Sequence, residues 1–302
     1  MMIVIPQTAI KAYEGKSKDV YDLGDGTVIL DFNKNFQTVD PITGEPDPGA
    51  NHNGKEEVPG LGRTNLALTT YFFEIFSQKG ISTHLIKSDI ENGLMHVKKV
   101  EIFGNGLIIP KLITIQPIDL KKEIMYPRWT TLDNAESGGI EVIARRRLTG
   151  SYHRAFKGAA RDMMGIDPAE PAFVEFSIKN DDLDDPRIMA DQILSEGIMS
   201  ESELEQTIYT TQEVERIAQY LAKERGIEII DFKIECGKYN GHSILADEFA
   251  TGSWRTRKLD GQKIDKFQTA GLFLGEDVVS DIRKHNLDGL NEKVKTLIKK
   301  AS

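Results

Sequence analysis

Residues 229–249 read IIDFKIECGKYNGHSILADEF, and this stretch decides the architecture. Side chains alternate across a strand, so Asp231, Lys233 and Glu235 share one face and Ile230, Phe232 and Ile234 the other. Asn240-Gly241 is a turn signal, and the run from His242 to Phe249 closes a hairpin that ends in Asp247-Glu248. Carboxylates and a lysine gathered at one end of a hairpin suit a Mg-nucleotide, because Mg²⁺ takes one or two carboxylates together with phosphate oxygens. The same alternation also describes an ordinary half-solvated sheet face. Register separates the cases. A two-residue turn pairs Glu235 with Ala246 and sends Asp247 to the opposite face. A three-residue turn over Tyr239–Gly241 puts Lys233, Glu235 and Asp247 on one face, with Gly241 in the left-handed position of a bulge. A shared metal site requires the second register, with Glu235 and Asp247 as ligands.

Outward from the hairpin, 302 residues can bury a substantial core as one large domain or two closely joined ones. A hydrophobic content of 39% and a charged content of 28% are ordinary for a globular protein. The net charge of −9 argues against sequence-independent nucleic-acid binding, yet a local arginine cluster can still hold an anionic substrate. The single cysteine, Cys236, excludes an internal disulfide and a multi-cysteine zinc site, and the six histidines are scattered. Neither a signal peptide nor a run of about 20 apolar residues is found, so no membrane partner and a cytoplasmic location are expected. Oligomeric state is open, including a homo-oligomer.

The first third is strand-rich. Val20–Leu23 and Thr27–Phe32 read as a hairpin around Gly24-Asp25-Gly26, and short β-like runs recur from residue 81 to about residue 117. Residues 36–62 are too polar and too broken by Pro and Gly for regular structure. Asn65–Lys79 reads as a helix with Leu68, Phe72, Ile75 and Phe76 at helical spacing, stopped by Gly80. Residues 119–139 give no clear pattern. Ile140–Ala144 is a strand candidate, and a helix start falls near Ser151. Ser200/Glu203 and Thr210/Glu213 each have capping-box spacing, which predicts two helices, 200–208 and 210–225. The tail from Leu287 to Lys300 is an amphipathic surface helix. Strands first, then mixed elements, predict an α+β fold.

Gly15-Lys16-Ser17 is not a P-loop, since a Walker A loop needs glycine where this chain has Ile10. Lys16 and Lys18 would share a strand face; as isolated residues, both are simply surface lysines. Arg145 and Arg147 point the same way in an extended run, and two guanidinium forks suit a phosphate. Gly150-Ser151 could add amide and hydroxyl donors, especially at a helix start. The bland reading is a basic patch with a helix cap. Lys179, Asp181 and Asp182, followed by Asp184-Asp185-Pro186, form an acidic loop of the kind that is usually just solvated.

Taken together, these segments resemble the SAICAR synthetase (phosphoribosylaminoimidazole-succinocarboxamide synthase) family. DFKIECG with LADEF is similar to its second signature, EVIARRRLTGS to its first, YEGKSKDVYDLG to its N-terminal nucleotide loop and EFSIKNDDLDDPRI to its Lys-Asn-Asp segment, in the right order. The resemblance implies an antiparallel-sheet N-terminal lobe, residues 1–117, and a larger α+β lobe, residues 118–302, with ATP between them. It implies ligation of carboxyaminoimidazole ribotide (CAIR) to L-aspartate, giving SAICAR, ADP and phosphate in purine biosynthesis, with ATP and Mg²⁺. Lys16, Lys18, Lys233 and Glu235 would meet the nucleotide, Glu235 and Asp247 the metal, and Lys233, Glu235 and Asp247 would carry catalysis. Arg145, Arg147 and Ser151 would anchor the ribotide phosphate, and Lys179 and Asp181 would border the pocket. After the carboxylate pair this chain departs from the family: Thr251-Gly252-Ser253-Trp254-Arg255 replaces a Ser-Arg-aromatic-Trp-Asp segment, leaving Arg255 as the substitute arginine. That departure keeps alive a ligase of the same fold for another acid or amine. A small-molecule kinase and a non-catalytic binding protein are the further alternatives.

Overall fold

The structure is a computed structural model that describes residues 2–15, 17–39, 54–114, 129–147, 171–180, 183 and 185–301. Lys16, Ser151 and Asp181, and the helix start expected near Ser151, lie outside the described residues.

Five strands build the N-terminal sheet: β1 (Ile10–Glu14), β2 (Asp19–Asp22), β3 (Thr27–Asp31), β6 (Leu85–Asp89) and β7 (Leu94–Lys98). They run antiparallel in the order β1-β2-β3-β7-β6. The two-residue period divides its faces. Val28, Leu30, Met95 and Val97 enter the main core, while the other face buries only Ile3, Ile29 and Leu94. Residues 36–62 are more regular than their polarity predicts: β4 (Phe36–Val39) pairs with β5 (Gly54–Glu57), and helix α1 (Leu61–Gln78) starts at residue 61. Gly80, with φ +87, closes that helix as expected.

The central sheet has seven strands. Its main path is β13 (Arg187–Ile188), β12 (Phe173–Ile178), β11 (Ile140–Arg145), β14 (Ile227–Tyr239) and β15 (His242–Ala246), with β8 (Glu101–Ile102) and β16 (Trp254–Lys258) also pairing with β14. Residues 129–138, unreadable in sequence, form β10, which pairs with β9 (Asn105–Thr114). The mixed α+β architecture with antiparallel sheets is the expected one.

Helix α2 (Ala190–Ser195) is short; α3 (Glu201–Lys223) covers the apolar face of the central sheet. Val142, Ala144, Phe176, Phe232 and Ile234 share a core with its Val214, Ile217 and Leu221. The two helices expected at 200–208 and 210–225 are one. Ser200 and Glu203 form a real capping box, whereas Thr210 is an interior helical residue. Helices α4 (Lys266–Leu274), α5 (Glu276–Arg283) and α6 (Leu290–Ala301) pack on α1. Among the described residues no helix is long and apolar enough to cross a membrane.

Two details of β14 set the site. First, the hairpin turn has two residues, not three: Tyr239 pairs with His242 and Glu235 with Ala246. Asn240 (φ 52) and Gly241 (φ 80) take the two left-handed positions of a type I′ turn, whose twist matches that of the strands. The expected pairing of Lys233 with Asp247 is therefore wrong. Second, the register with β16 shifts between Ile229 and Asp231. Ile230 is the extra residue of a bulge. Below it, Ile227 and Ile229 face the core; above it, Phe232 and Ile234 do. The bulge thus brings Glu228 onto the same face as Asp231, Lys233 and Glu235.

Candidate active site

The face of the central sheet away from α3 is almost wholly charged. Register stacks Glu141, Ile143 and Arg145 of β11 beside Glu235, Lys233 and Asp231 of β14, with Ser177 and Glu175 of β12 next to Glu141 and Ile143. Arg255 and Arg257 of β16 stand opposite Asp231 and Glu228.

At one end lysines meet carboxylates. Lys233 Nζ lies 2.6 Å from Glu141 Oε1 and 4.0 Å from Asp185 Oδ2. The Ser177 hydroxyl donates to the other Glu141 oxygen at 3.1 Å. Lys179 pairs with Glu235. Lys18 reaches in from the N-terminal sheet, 2.9 Å from Asp247 Oδ1 and 3.4 Å from Glu248 Oε2. Burial works against the charge on Lys18, but Asp247 and Glu248 outweigh it and hold the ammonium above the ordinary lysine range. Lys233 is raised in the same way, burial being overcome by Glu141 and Asp185. Glu235, then Asp247, raise Lys179. Burial pushes Asp247 up, yet Lys18 and Lys179 bring it down to about 2. Burial wins at Glu141, whose carboxyl rises despite Lys233.

Asp247 joins this cluster although the strand register points it away. Its backbone is left-handed, with φ 62, just past the end of β15 at Ala246. Leaving the extended conformation breaks the alternation, and the carboxylate turns towards Lys18 and Lys179. The register required for a shared site is thus absent, and Glu235 and Asp247 instead meet at Lys179 through the left-handed backbone of Asp247.

Lys18 is not on a strand face as expected; it lies in the turn between β1 and β2. The turn is tight: Gly15 N–H donates to the Lys18 carbonyl at 3.0 Å, and a Cβ on Gly15 would sit 2.5 Å from that oxygen. Lys34 donates to the Gly15 carbonyl at 2.7 Å and pairs with Asp19 at 2.5 Å, fixing the turn from behind.

At the other end arginines meet carboxylates. Arg145, 3% exposed, spans Glu175 (2.6 Å) and Asp231 (2.8 Å), and Arg255 reaches Asp231 at 3.0 Å. Arg147 and Arg257 share Glu228 at 2.7 and 2.6 Å. Arg146 points to the helix side and pairs with Glu215. Arg145 is thus committed to a buried cross-strand network, while Arg147 and Arg255 are only half-buried.

Sequence reading noted Glu248 in the carboxylate pair and Asp185 in the acidic loop without assigning either a role, and missed Glu141, Glu228, Arg257 and His84. Period-two spacing from Arg145 and Arg255 would have flagged Glu141 and Arg257. Nothing in the sequence marks His84, whose Nε2 lies 3.2 Å from the Asp247 carbonyl oxygen.

Chemically the site offers charge and position. The Cys236 thiol is in the core and is pushed up to about 12 by burial, which excludes a thiolate nucleophile. Among the described residues no three His, Cys, Asp or Glu side chains form a ready-made metal centre. Glu235 and Asp247 do fit a Mg²⁺ that arrives with phosphate, since both already stabilise a cation, the Lys179 ammonium.

Comparison with known proteins adds to this geometry. The SAICAR synthetase family model matches residues 11–271. The chain is 34% identical over 267 residues to the phosphoribosylaminoimidazole-succinocarboxamide synthase of Clostridium tetani, covering 87% of this chain and 98% of that protein. It is 30% identical over 243 residues to the enzyme of the same name from Latilactobacillus sakei, covering 80% of each. Among solved structures, the corresponding synthase of Ehrlichia chaffeensis superposes with a TM-score of 0.63 at 23% identity, covering 97% of this chain and 98% of that one. A SAICAR synthetase in complex with ADP superposes with a TM-score of 0.61 at 21% identity, covering 96% and 97%.

Proposed function

The chain belongs to the SAICAR synthetase family, and from that premise we propose how its residues carry the reaction. The enzyme joins CAIR and L-aspartate at the expense of ATP, forming SAICAR, ADP and phosphate in purine biosynthesis. A carboxylate resists attack by an amine because oxide is a poor leaving group. Transfer of the γ-phosphoryl group to the CAIR carboxylate gives an acyl phosphate; the aspartate amine then adds to the acyl carbon and phosphate leaves. Such transfer asks the protein for alignment and charge neutralisation rather than for a nucleophile.

The observation that carries this reading is the convergence of Lys18, Lys179 and Lys233 on Glu141, Glu235, Asp247 and Glu248, from both sheets. Lys18, with Lys16 two residues before it in the sequence, neutralises nucleotide phosphates, and Lys233 stabilises the transferring group. Glu235 and Asp247 hold Mg²⁺, which supplies charge neutralisation at the phosphates. Arg147 and Arg255, with Ser151, anchor the ribotide phosphate; Arg145 braces Arg255 through Asp231. The altered segment supports retention of this subsite, because Trp254 enters the core and leaves Arg255 and Arg257 on the ligand face.

ATP lies between two lobes in this reading. Glu101–Ile102 already belongs to the central sheet, which favours a boundary between Lys98 and Glu101 over the expected one at residue 117. We place the enzyme in the cytoplasm with its nucleotide substrates. The test is mass spectrometry of products from CAIR, aspartate and Mg-ATP: SAICAR and stoichiometric ADP are expected. ADP release that ignores aspartate would favour a kinase, and amide formation only with another acid would keep the ligase and remove the purine substrate.

A further inference from the structure

The left-handed turn at Asp247 raises the question of what holds it. Asp247 is not glycine; Asp tolerates φ near +60° better than most residues, but the conformation is uncommon even there, so the contacts around it decide whether it is held. Its carbonyl oxygen lies 3.2 Å from Nε2 of His84. A carbonyl can only accept, so Nε2 carries the proton and donates it.

His84 is well placed to hold that turn. It is 3% exposed, and its ring packs edge-on against Phe73 at 5.7 Å. Its backbone is fixed on both sides: His84 N–H donates to Leu245 O at 2.9 Å, and Lys98 N–H donates to His84 O at 2.8 Å. Leu245 N–H in turn donates to Ser82 O at 3.0 Å, and Thr83 bridges Leu245 in parallel. Residues 82–84 are therefore stitched to the end of β15, and the imidazole reaches two residues further, to Asp247. Were Asp247 to stay extended, the pairing of Glu235 with Ala246 would aim its carboxylate at the opposite face of the sheet.

We infer that His84 is a positioning residue: its Nε2–H clamps the Asp247 carbonyl and so fixes the backbone that turns the Asp247 carboxylate into the nucleotide site. This rests on the reading of Asp247 as a Mg²⁺-binding residue. The role assigned to His84 runs through the Asp247 backbone rather than through a ligand. A second function follows from the same bond, since residues 82–84 precede the strand Leu85–Asp89 of the N-terminal sheet and so tie that sheet to the carboxylate.

The test compares His84→Leu, which keeps bulk and loses the donor, with His84→Gln, which keeps an N–H donor, in the full-length enzyme. His84→Leu should lower kcat by about 10–100-fold and raise the Mg²⁺ concentration for half-maximal rate, with the KM for CAIR little changed. His84→Gln should recover most of both losses. A His84→Leu enzyme with normal kcat and Mg²⁺ dependence overturns the inference, as does a His84→Gln enzyme no better than His84→Leu. Asp247→Asn, which tolerates the same backbone, separates the two levels. If it is inactive and His84→Leu is normal, only the inference falls; if it is fully active, the metal reading falls and takes the inference with it. Should His84→Leu not fold, ¹⁵N NMR of the wild-type imidazole decides: the Nε2–H tautomer is expected, and the Nδ1–H tautomer overturns the clamp.

Discussion

Side chains on the charged face of the central sheet ask for different experiments, because some are proposed to meet ligands and others, such as Arg145, Glu175 and Asp231, brace the sheet. Glu235→Gln and Asp247→Asn each remove a charge without removing bulk. Turnover at saturating Mg-ATP should fall about 100-fold or more, and Asp247→Asn, which breaks the buried pair with Lys18, should also lower the temperature of unfolding. A folded variant with near-normal kcat would remove that carboxylate from the chemistry. Arg145→Ala should instead fail as a stability variant. It leaves Glu175 with the longer contact to Arg187, at 3.7 Å, and the buried Asp231 with one guanidinium fewer, and breaking a buried pair costs about 3 kcal/mol or more, read by urea unfolding. Arg147→Ala removes a half-buried side chain from Glu228, which keeps Arg257. Its stability should change by about 1 kcal/mol or less, and its KM for CAIR should rise roughly 10–100-fold while that for ATP hardly moves. Weakened ATP alone would move Arg147 to the nucleotide end.

Among the elements, the local signals that came with a mechanism were the legible ones. Alternation placed Lys233 and Glu235 together, and the glycine after α1 marked its end. The turn was misjudged because Asn-Gly serves two- and three-residue hairpins alike, and the sequence does not show that Asp247 leaves the strand. The bulge at Ile230 was hidden for a similar reason: an apolar residue in an apolar run does not look like an insertion. Capping spacing gave one true and one false helix start, and substitution distinguishes them. Ser200→Ala should cost about 1 kcal/mol, because its hydroxyl accepts from Glu203 N–H and Glu203 answers to Ser200 N–H. Thr210→Ala, in mid-helix, should be neutral or slightly stabilising. Equal losses at both positions in denaturant titrations would contradict a continuous α3.

At the scale of the whole molecule, aromatic packing joins helix α1 to the chain that follows the β14–β15 hairpin. Phe72 of α1 lies 5.0 Å from Phe249, 5.1 Å from Trp254 and 5.0 Å from Phe273, ring centre to ring centre. Phe72→Ala should cost about 3–5 kcal/mol and lower one cooperative transition seen alike by near- and far-UV circular dichroism. Two separated transitions would show that the sheets unfold independently. Asp89 makes a second tie, accepting from Ile3 N–H at 2.7 Å, from Asn92 and from Asn291 of α6. Burial raises its carboxyl, but these hydrogen bonds outweigh burial and hold it below 3.8. The folded value being the lower one, its contribution is present above pH 3.8 and fades as pH falls through the folded value. Asp89→Asn should therefore be less stable at pH 7, with the gap to wild type narrowing below pH 3.8; a gap independent of pH would argue that the charge is irrelevant. The lysine end of the cleft has one more consequence. Among the described residues Lys18, Lys179 and Lys233 face Glu141, Asp185, Glu235, Asp247 and Glu248, so carboxyl groups outnumber ammonium groups before any ligand arrives, although burial raises Glu141 and Glu248. If the nucleotide enters here as proposed, such a site would act as an ion exchanger: a bare polyphosphate would meet repulsion, whereas one bringing its own divalent cation would neutralise the surplus as it enters. Discrimination between chelated and unchelated nucleotide would then be a property of the resting protein, exercised before chemistry begins.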